Sequence, residues 1–323
     1  MGANNEVVRL RRTSLAAGLG LATITIAFGG CADLSGLAGA DDPVDGGKTK
    51  ESGVGKGTEA ATDGGIVPAT ARCNPQQPFE PPELVTEFDP TAEYVKDAVL
   101  TRDELEVFYL RYQGSGNWDL RHARRAARDA AWGAVTTEGV PPSPDGTLSL
   151  TAGDLRLYFW TVESNYRTTR PSRNDPFALP QKFDVASAPA TFFVAADDTA
   201  YFSKSDNDEG FEKIIRRATV NSSGYSLTST PLLGIHVAKT NDSHPVLDAS
   251  ETVMYFASNR PGGRGLDDVW VTRRPAKQAA FGPPVHVPEL STDEPDAVTW
   301  VAEDECELYL YRASHVYIAR RPK

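Results

Sequence analysis

Three aspartates in this sequence lie at one fixed distance from a tyrosine. Asp145, Asp242 and Asp296 each precede a tyrosine by thirteen residues, and Asp97 precedes Phe108 by eleven. If a fold brings these carboxylates together, they can bind a cation or the hydroxyl groups of a sugar-like polyol. Alternatively, each carboxylate accepts hydrogen bonds from the amides of its own turn, as aspartates commonly do. The spacing therefore makes Asp97, Asp145, Asp242 and Asp296 candidate binding residues.

Catalysis by the same carboxylates is the second hypothesis. Glycosidases place two acidic residues around a pocket, and Asp145, Asp242 and Asp296 could fill that role, with Glu163 nearby in sequence. However, the chain has no G-x-S-x-G nucleophile elbow, and its five histidines lack the spacing of metal ligands. Asp242, Ser243 and His244 have the residue types of a catalytic triad, but adjacent side chains are not expected to face one another. We therefore predict a binding protein without catalytic residues, metal or cofactor, and keep a glycan-active hydrolase as the alternative.

A repeat explains the spacing of the aspartates. Five β-prone runs end in a pair of large apolar residues, and the first members of these pairs are Phe108, Tyr158, Tyr201, Tyr255 and Tyr309. They lie 50, 43, 54 and 54 residues apart. A segment rich in arginine follows each run, and these segments end at Arg125, Arg170, Arg217, Arg274 and Arg321. Units of this length, each with several short strands, are typical of β-propeller blades.

A third landmark predicts how the ring closes. In four units an aromatic residue precedes small residues or proline, at Trp132, Phe177, Tyr225 and Phe281. The fifth unit lacks it, but Phe79 supplies a copy before the first unit begins. We expect an all-β propeller of five four-stranded blades, with an N-terminal strand that completes the last blade. Residues 121–132 have helix-forming composition, but their register with the fourth unit favours a strand followed by a loop.

The fourth unit carries the clearest pattern. It contains Tyr255-Phe256, Ser258, Arg260-Pro261-Gly262-Gly263, Gly265, Asp268-Val269-Trp270-Val271 and Phe281-Gly282. This pattern resembles the TolB-like β-propeller repeat of bacterial envelope proteins, and the resemblance extends over residues 79–323. It implies a propeller in the cell envelope, in a family of diverse scaffolds without a shared catalytic set. The glycines of this unit are predicted to turn a hairpin rather than to bind phosphate.

The N-terminal residues predict export. Arg9, Arg11 and Arg12 precede a charge-free apolar stretch, as in a secretion signal. The residues before Cys31 resemble a bacterial lipobox, so we expect residues 1–31 to be a signal peptide that ends in lipidation of Cys31. An ordinary cleaved signal and an uncleaved anchor are the alternatives. Residues 32–72, rich in Gly, Ala and Asp, are predicted to be a flexible tether. Residues 73–323 are predicted to form the propeller.

Charge and cysteines restrict the partners. The chain has a net charge of −11, which argues against binding nucleic acid. We expect a monomer with a protein or glycan partner that contacts the membrane only through its lipid anchor. The expected location is the outer membrane, or the periplasm if the chain is secreted. An oxidising compartment allows Cys73 and Cys306 to pair, and two free thiols are the alternative.

Overall fold

A computed structural model describes residues 72–323, except 89–93, 115–116, 139–145, 152, 162–163, 184–190, 206–211, 222–223, 226–229 and 233. The predicted signal, Cys31 and most of the predicted tether therefore lie outside the described residues, as do Asp145 and Glu163. Within the described part, no helix is long and apolar enough to cross a bilayer.

The described residues form five antiparallel sheets, which are the blades of the ring. In blade 1 the strands, from the innermost outwards, are β2 (Val95–Leu100), β3 (Glu106–Gly114), β4 (Asn117–Arg124) and β5 (Thr136–Thr137). In blade 2 they are, in the same order, β6 (Gly146–Leu150), β7 (Arg156–Trp160), β8 (Asn165–Thr169) and β9 (Gln181–Phe183). Blade 3 contains β10 (Phe192–Val194), β11 (Thr199–Ser205), β12 (Lys213–Asn221), β13 (Gly224–Tyr225) and β14 (Thr230–Pro231). Blade 4 contains β15 (Asp242–Leu247), β16 (Val253–Ser258), β17 (Asp268–Arg273) and β18 (Val285–His286). The fold is a five-bladed β-propeller.

Blade 5 closes the ring with strands from both ends of the described chain. It contains β19 (Asp296–Val301), β20 (Glu307–Arg312) and β21 (His315–Arg320), with β1 (Glu83–Leu84) as its outermost strand. A short 3-10 helix, η1 (Pro288–Leu290), precedes β19. Because β1 pairs antiparallel with β21, the prediction that an N-terminal strand completes the last blade is confirmed.

A disulfide and an arginine fix the point where the chain joins the ring. Cys73 is bonded to Cys306, with their Cα atoms 5.5 Å apart. Beside it, Arg72 donates to Glu104 in blade 1 at 2.6 Å and to Asp304 in blade 5 at 2.8 Å. Residue 72 therefore lies at the seam between the first and last blades, next to the turns that connect their two innermost strands.

The five repeat aromatics occupy one structural position. Each lies in the second strand of its blade and is at most 2% exposed: Phe108, Tyr158, Tyr201, Tyr255 and Tyr309. Because blades pack face to face, a second strand is buried on both sides, as the wholly buried β16 illustrates. A strand covered on both faces has a continuous apolar sequence rather than an alternating one. That is why these runs could be recognised from sequence.

The turn between the first and second strands has a shared feature in all five blades, although the turn of blade 3 is one residue shorter than the others. An acidic residue in each turn has a left-handed backbone, with φ between 54° and 63°, and its amide donates to the carbonyl three residues earlier. We call these residues the turn acids: Glu104, Asp154, Asp198, Glu251 and Glu305. In four blades an arginine donates its Nε to the turn acid's carbonyl at 2.6–2.9 Å, and the four donors are Arg125, Arg170, Arg274 and Arg321.

The same arginines contact the third landmark of the repeat. Their guanidinium groups lie 3.8–4.9 Å from the ring centroids of, respectively, Trp132, Phe177, Phe281 and Phe79. Phe79 therefore packs against the arginine of blade 5 as Phe281 packs against the arginine of blade 4.

Blade 3 departs from the pattern. In the other blades the arginine lies opposite the residue that follows the turn acid. In blade 3 that residue is Thr199, which pairs with Thr219, so Thr219 takes the place of the arginine and Arg217 lies two residues too early. Two short strands, β13 and β14, both pair with β12 in place of one outer strand. The predicted landmark at Arg217 was therefore misplaced, because the arginines of β12 belong to its interior. Residues 121–132 begin in β4 and continue as a loop, so the strand interpretation of that segment is correct.

Candidate functional site

The innermost strands of four blades are interrupted by β-bulges. The pairing register shifts between Lys96 and Val99 in β2, between Gly146 and Leu148 in β6, between Ser243 and Val246 in β15, and between Val298 and Trp300 in β19. In the described part of blade 3, β10 pairs without a shift. A bulge re-aims the side chain of the extra residue, which is why bulges are common beside functional sites.

Each bulge presents a polar side chain to the middle of the ring. We call these four the bulge residues: Asp97, Thr147, His244 and Thr299. Three of them have a left-handed backbone, with φ of 53° at Asp97, 38° at Thr147 and 49° at His244. This conformation is unfavourable for residues other than glycine, and especially for a β-branched residue such as threonine. Strained positions of this kind persist where the surrounding structure enforces them, and they are concentrated at functional sites.

The bulge residues line a central cavity of about 970 Å³, counting the space at its open mouth. Next to them along the inner strands is an apolar belt, which includes Val99, Leu150, Phe192, Val246 and Trp300. The rim follows at the turns between first and second strands, where Arg102, Asp154, Glu251 and Glu303 line the cavity. All five blades contribute to the wall, as expected for the channel of a propeller.

His244 is electrically neutral at ordinary pH. Burial lowers its pKa to about 4, and the nearby charge of Lys213 acts in the same direction. Its Nδ1 lies 3.0 Å from Ser243 Oγ, and its amide donates to Thr191 Oγ1 at 3.2 Å. Ser243 and His244 thus face each other, contrary to the expectation for adjacent residues. Ser243 does not line the cavity, and a histidine of such low basicity is a poor general base.

The rim is a network of paired charges. Arg102 Nη2 donates to Glu303 Oε1 at 2.6 Å and joins blades 1 and 5. The Arg102 amide donates to Asp154 Oδ1 at 3.3 Å and joins blades 1 and 2. Burial raises the pKa of Asp154 to about 6, although the charge of Arg173 opposes the shift. Asp154 is therefore the carboxyl group at this rim whose proton exchanges near neutral pH.

Two of the predicted binding aspartates do not reach the cavity. Asp242 is fully buried, and its Oδ1 accepts from Ser258 Oγ and Arg260 Nη2, each at 2.7 Å. Asp296 is likewise buried, pairs with Arg312, and accepts from the Thr292 amide at 2.6 Å.

The prediction that Asp242 and Asp296 converge at the channel mouth is therefore wrong. Both are the first residues of inner strands, where a buried carboxylate needs a charged partner, and an arginine of the same blade supplies it. Asp97 does line the cavity, and Asp145 lies outside the described residues. The alternative was that each aspartate accepts hydrogen bonds from the amides of its own turn. Asp296 does so in part, because it accepts from the amide of Thr292.

Three bulge residues were missed at the level of sequence, although a signal for them existed. Asp97 lies eleven residues before the repeat aromatic of its unit, and Thr147 and His244 lie at the same distance before theirs. In blade 5 the eleventh position is Val298, and the bulge residue Thr299 follows it. Three of the bulge residues are therefore found eleven residues before the repeat aromatic. In blades 4 and 5 the position thirteen residues before it holds the buried aspartate that begins the inner strand and pairs with an arginine.

The glycine-rich segment of blade 4 makes a turn. Gly262 has φ of 99°, and Asp268 Oδ2 accepts from the amides of Arg264 at 2.7 Å and Gly265 at 3.2 Å. A Cβ atom on Gly263 would lie 1.9 Å from that same carboxylate oxygen. The amides that a phosphate would need are thus occupied by Asp268, in agreement with the predicted hairpin.

Comparison with known proteins gives similarity at the level of structure alone. No protein-family model and no curated sequence matches the chain. Similar solved structures include TolB from Acinetobacter baumannii, at 11% identity and a TM-score of 0.42, with 70% of this chain and 54% of that one covered. A protein assigned as TolB from Agrobacterium tumefaciens has 12% identity and a TM-score of 0.45, with 76% and 91% covered. A gluconolactonase from Xanthomonas campestris has 10% identity and a TM-score of 0.42, with 77% and 98% covered.

These neighbours have different roles, and they carry no conclusion about activity. The chain spans about half of the Acinetobacter TolB and 36% of a puromycin hydrolase that it also resembles.

Proposed function

We propose that this protein is a non-catalytic binding module of the cell envelope, and that its central cavity holds part of a glycan or protein partner. The observation that carries the proposal is the set of bulge residues, in which four blades direct polar groups into one cavity. Three of these residues have a left-handed backbone, which is unfavourable for residues other than glycine. A role in binding gives a reason for that strain.

The location is part of the same proposal. The Cys73–Cys306 disulfide supports an oxidising compartment, and the sequence of residues 1–31 supports export with lipidation at Cys31.

The alternative of a hydrolase is less well supported. Of its proposed carboxylates, Asp242 and Asp296 are held in buried ion pairs away from the cavity. Asp154 is the cavity carboxyl group with a raised pKa, but it is engaged by Arg102 and Arg173 in the rim.

A mouth-blocking variant tests the binding proposal. Ala196 is exposed and lines the cavity, so Ala196→Trp is expected to abolish retention of envelope glycans or proteins on the immobilised full chain. Ala126→Trp, on an exposed loop of blade 1 away from the cavity, is the matched control and is expected to retain them. Equal retention by the two variants would refute a role for the cavity. Release of reducing sugar by the wild type, lost in Asp154→Asn, would instead favour the hydrolase.

Localisation has a separate test. We expect the full chain to fractionate with membranes and to incorporate labelled fatty acid, and Cys31→Ser to abolish the incorporation. A wild-type chain that remains in the soluble cytoplasmic fraction would contradict the envelope proposal.

A further inference from the structure

The chemistry of the cavity wall restricts what can bind there. Its charged lining residues are Asp97, Arg102, Asp154, Asp248, Glu251 and Glu303. Five of these are acidic, and burial keeps His244 neutral. Arg102 pairs with Glu303, and Lys277 and Arg274 pair with Glu251. An anionic ligand such as a phosphate or a carboxylate would meet an excess of negative charge. The described wall therefore disfavours an anionic ligand.

The polar wall groups offer both acceptors and donors. Thr299 Oγ1 donates its proton to the Ala98 carbonyl at 2.8 Å, so the oxygen can accept from a ligand. Ser149 Oγ accepts from the Val194 amide at 2.9 Å, so its proton remains for donation. With the Asp97 carboxylate and the His244 imidazole, donors and acceptors surround the cavity on several sides. A ring of hydroxyl groups, each both donor and acceptor, matches such a set.

An aromatic surface borders this polar set. Trp300 follows Thr299 in β19, lines the cavity and is half-buried. Trp300 also packs against two hydrophobic clusters of the core, and its ring lies edge-on to Tyr309 with centroids 5.9 Å apart. Phe192 and Phe193 line the cavity from blade 3. The apolar C–H face of a sugar ring fits such aromatic walls.

We propose that the central cavity binds one uncharged pyranose unit of a glycan, with the apolar face of the sugar on Trp300 and its hydroxyl groups toward Asp97, Thr147 and His244. This inference rests on the proposed binding function and names its ligand class. The left-handed bulges are then the means by which three blades direct short polar side chains at one sugar ring.

Calorimetric titration of the purified full chain tests the ligand class. The probes are methyl β-glucopyranoside and methyl N-acetyl-β-glucosaminide as uncharged pyranosides, glucuronate as an anion, and tetramethylammonium chloride as a cation. We expect an uncharged pyranoside to bind with a Kd on the order of 1 mM, and glucuronate to bind at least about tenfold more weakly because of the acidic wall.

Two variants connect the binding to the named residues. Thr147→Val removes a hydroxyl at nearly constant volume, and Trp300→Phe reduces the aromatic surface; each is expected to weaken pyranoside binding about tenfold. Trp118→Phe, in β4 and outside the cavity, is the matched control and is expected to leave the Kd unchanged. Sugar-induced quenching of tryptophan fluorescence should be lost with Trp300→Phe and kept with Trp118→Phe.

The outcomes separate this inference from the proposed function. Glucuronate binding as tightly as the glucoside, or no pyranoside binding at 50-fold the expected Kd of about 1 mM, would overturn the sugar assignment. If tetramethylammonium then binds and Ala196→Trp abolishes its binding, the cavity is a binding site for cations and the proposed function survives. If Ala196→Trp retains every envelope partner that the wild type retains, both proposals fail.

Discussion

All five turn acids and three of the four bulge residues have a left-handed backbone, and the two sets differ in what holds them. The turn acids recur in all five blades at nearly one φ value, and the amide of each donates to the carbonyl three residues earlier. The bulge residues are of three chemical kinds, occur in four blades, and lie where the pairing of the inner strand with the second strand is interrupted. Uniformity across the ring is characteristic of architecture, whereas variety around one cavity is characteristic of a binding site.

The largest expected effect concerns the architecture. Replacing both Cys73 and Cys306 by serine opens a cross-link that spans 233 residues. In the chain-entropy model this lowers the free energy of unfolding by about 5 kcal/mol. Urea unfolding of the double variant, beside that of the oxidised wild type, measures it. The wild type in reductant should reproduce the loss, and a change under about 1 kcal/mol would contradict a role of the disulfide in closure.

A buried arginine of the turn set gives the next effect. Arg274 donates to the Glu251 carbonyl at 2.6 Å and to Tyr201 Oη at 2.8 Å, and its side chain is 2% exposed. Arg274→Met leaves these groups without their partner and should cost about 3 to 5 kcal/mol in unfolding free energy. Arg264→Met, at an exposed position, is the control and should cost under about 0.5 kcal/mol. Similar losses for the two variants would show that the turn arginines do not hold the ring together.

The pH dependence of stability isolates Asp154, a turn acid that also lines the cavity. Its pKa in the folded state, about 6, lies above the ordinary value of 3.8, so the folded protein holds this proton more tightly than the unfolded chain. This contribution to stability is present below pH 4 and is lost as the pH rises through 6. Asp154→Asn keeps an acceptor for the Arg102 amide and should be about 2 kcal/mol more stable than the wild type at pH 7.5.

Urea unfolding of both proteins at pH 4 and at pH 7.5 measures this difference. At pH 4 the gain should vanish. His244 acts in the opposite direction, because its folded pKa of about 4 lies below its ordinary 6.5, but it is common to both proteins and cancels. A stability difference that does not change with pH would show that the pKa of Asp154 is the same in the folded and unfolded states.

The smallest expected effect on stability comes from glycine substitutions that compare a bulge residue with a turn acid. Thr147→Gly and Asp198→Gly each relieve a left-handed backbone, and each is expected to raise the free energy of unfolding by up to about 1 kcal/mol. Ala313→Gly, at an exposed hairpin residue with φ of 47°, calibrates the relief where no function is proposed. Thermal unfolding in the absence of ligand measures all three. Destabilisation by Thr147→Gly alone would mean that its side chain is needed for folding and that no strain is held for binding.

The fold was largely predictable from the sequence, and the site only in part. Second strands packed on both faces have continuous apolar runs, so the five repeat aromatics and the closure at Phe79 could be found by spacing. Blade 3 was harder, because β12 carries arginines in its interior and lacks one at the equivalent of Arg274.

The bulge residues other than Asp97 were not predicted from the sequence, for a different reason. A bulge depends on backbone pairing between two strands, and the single-residue shift at Thr147 or His244 leaves no mark in composition. Asp242 and Asp296 carried the stronger sequence signal because their ion pairs with Arg260 and Arg312 stabilise the blade itself.

The most direct test of the central claim is the affinity of one pyranoside for three proteins: the wild type, Thr147→Gly and Asp198→Gly. Titration calorimetry should give equal Kd values for the wild type and Asp198→Gly, and a Kd at least about tenfold higher for Thr147→Gly, because one set holds the ring and the other holds the ligand. Equal affinity in all three proteins, or a loss confined to Asp198→Gly, would contradict the assignment of the bulge residues to binding.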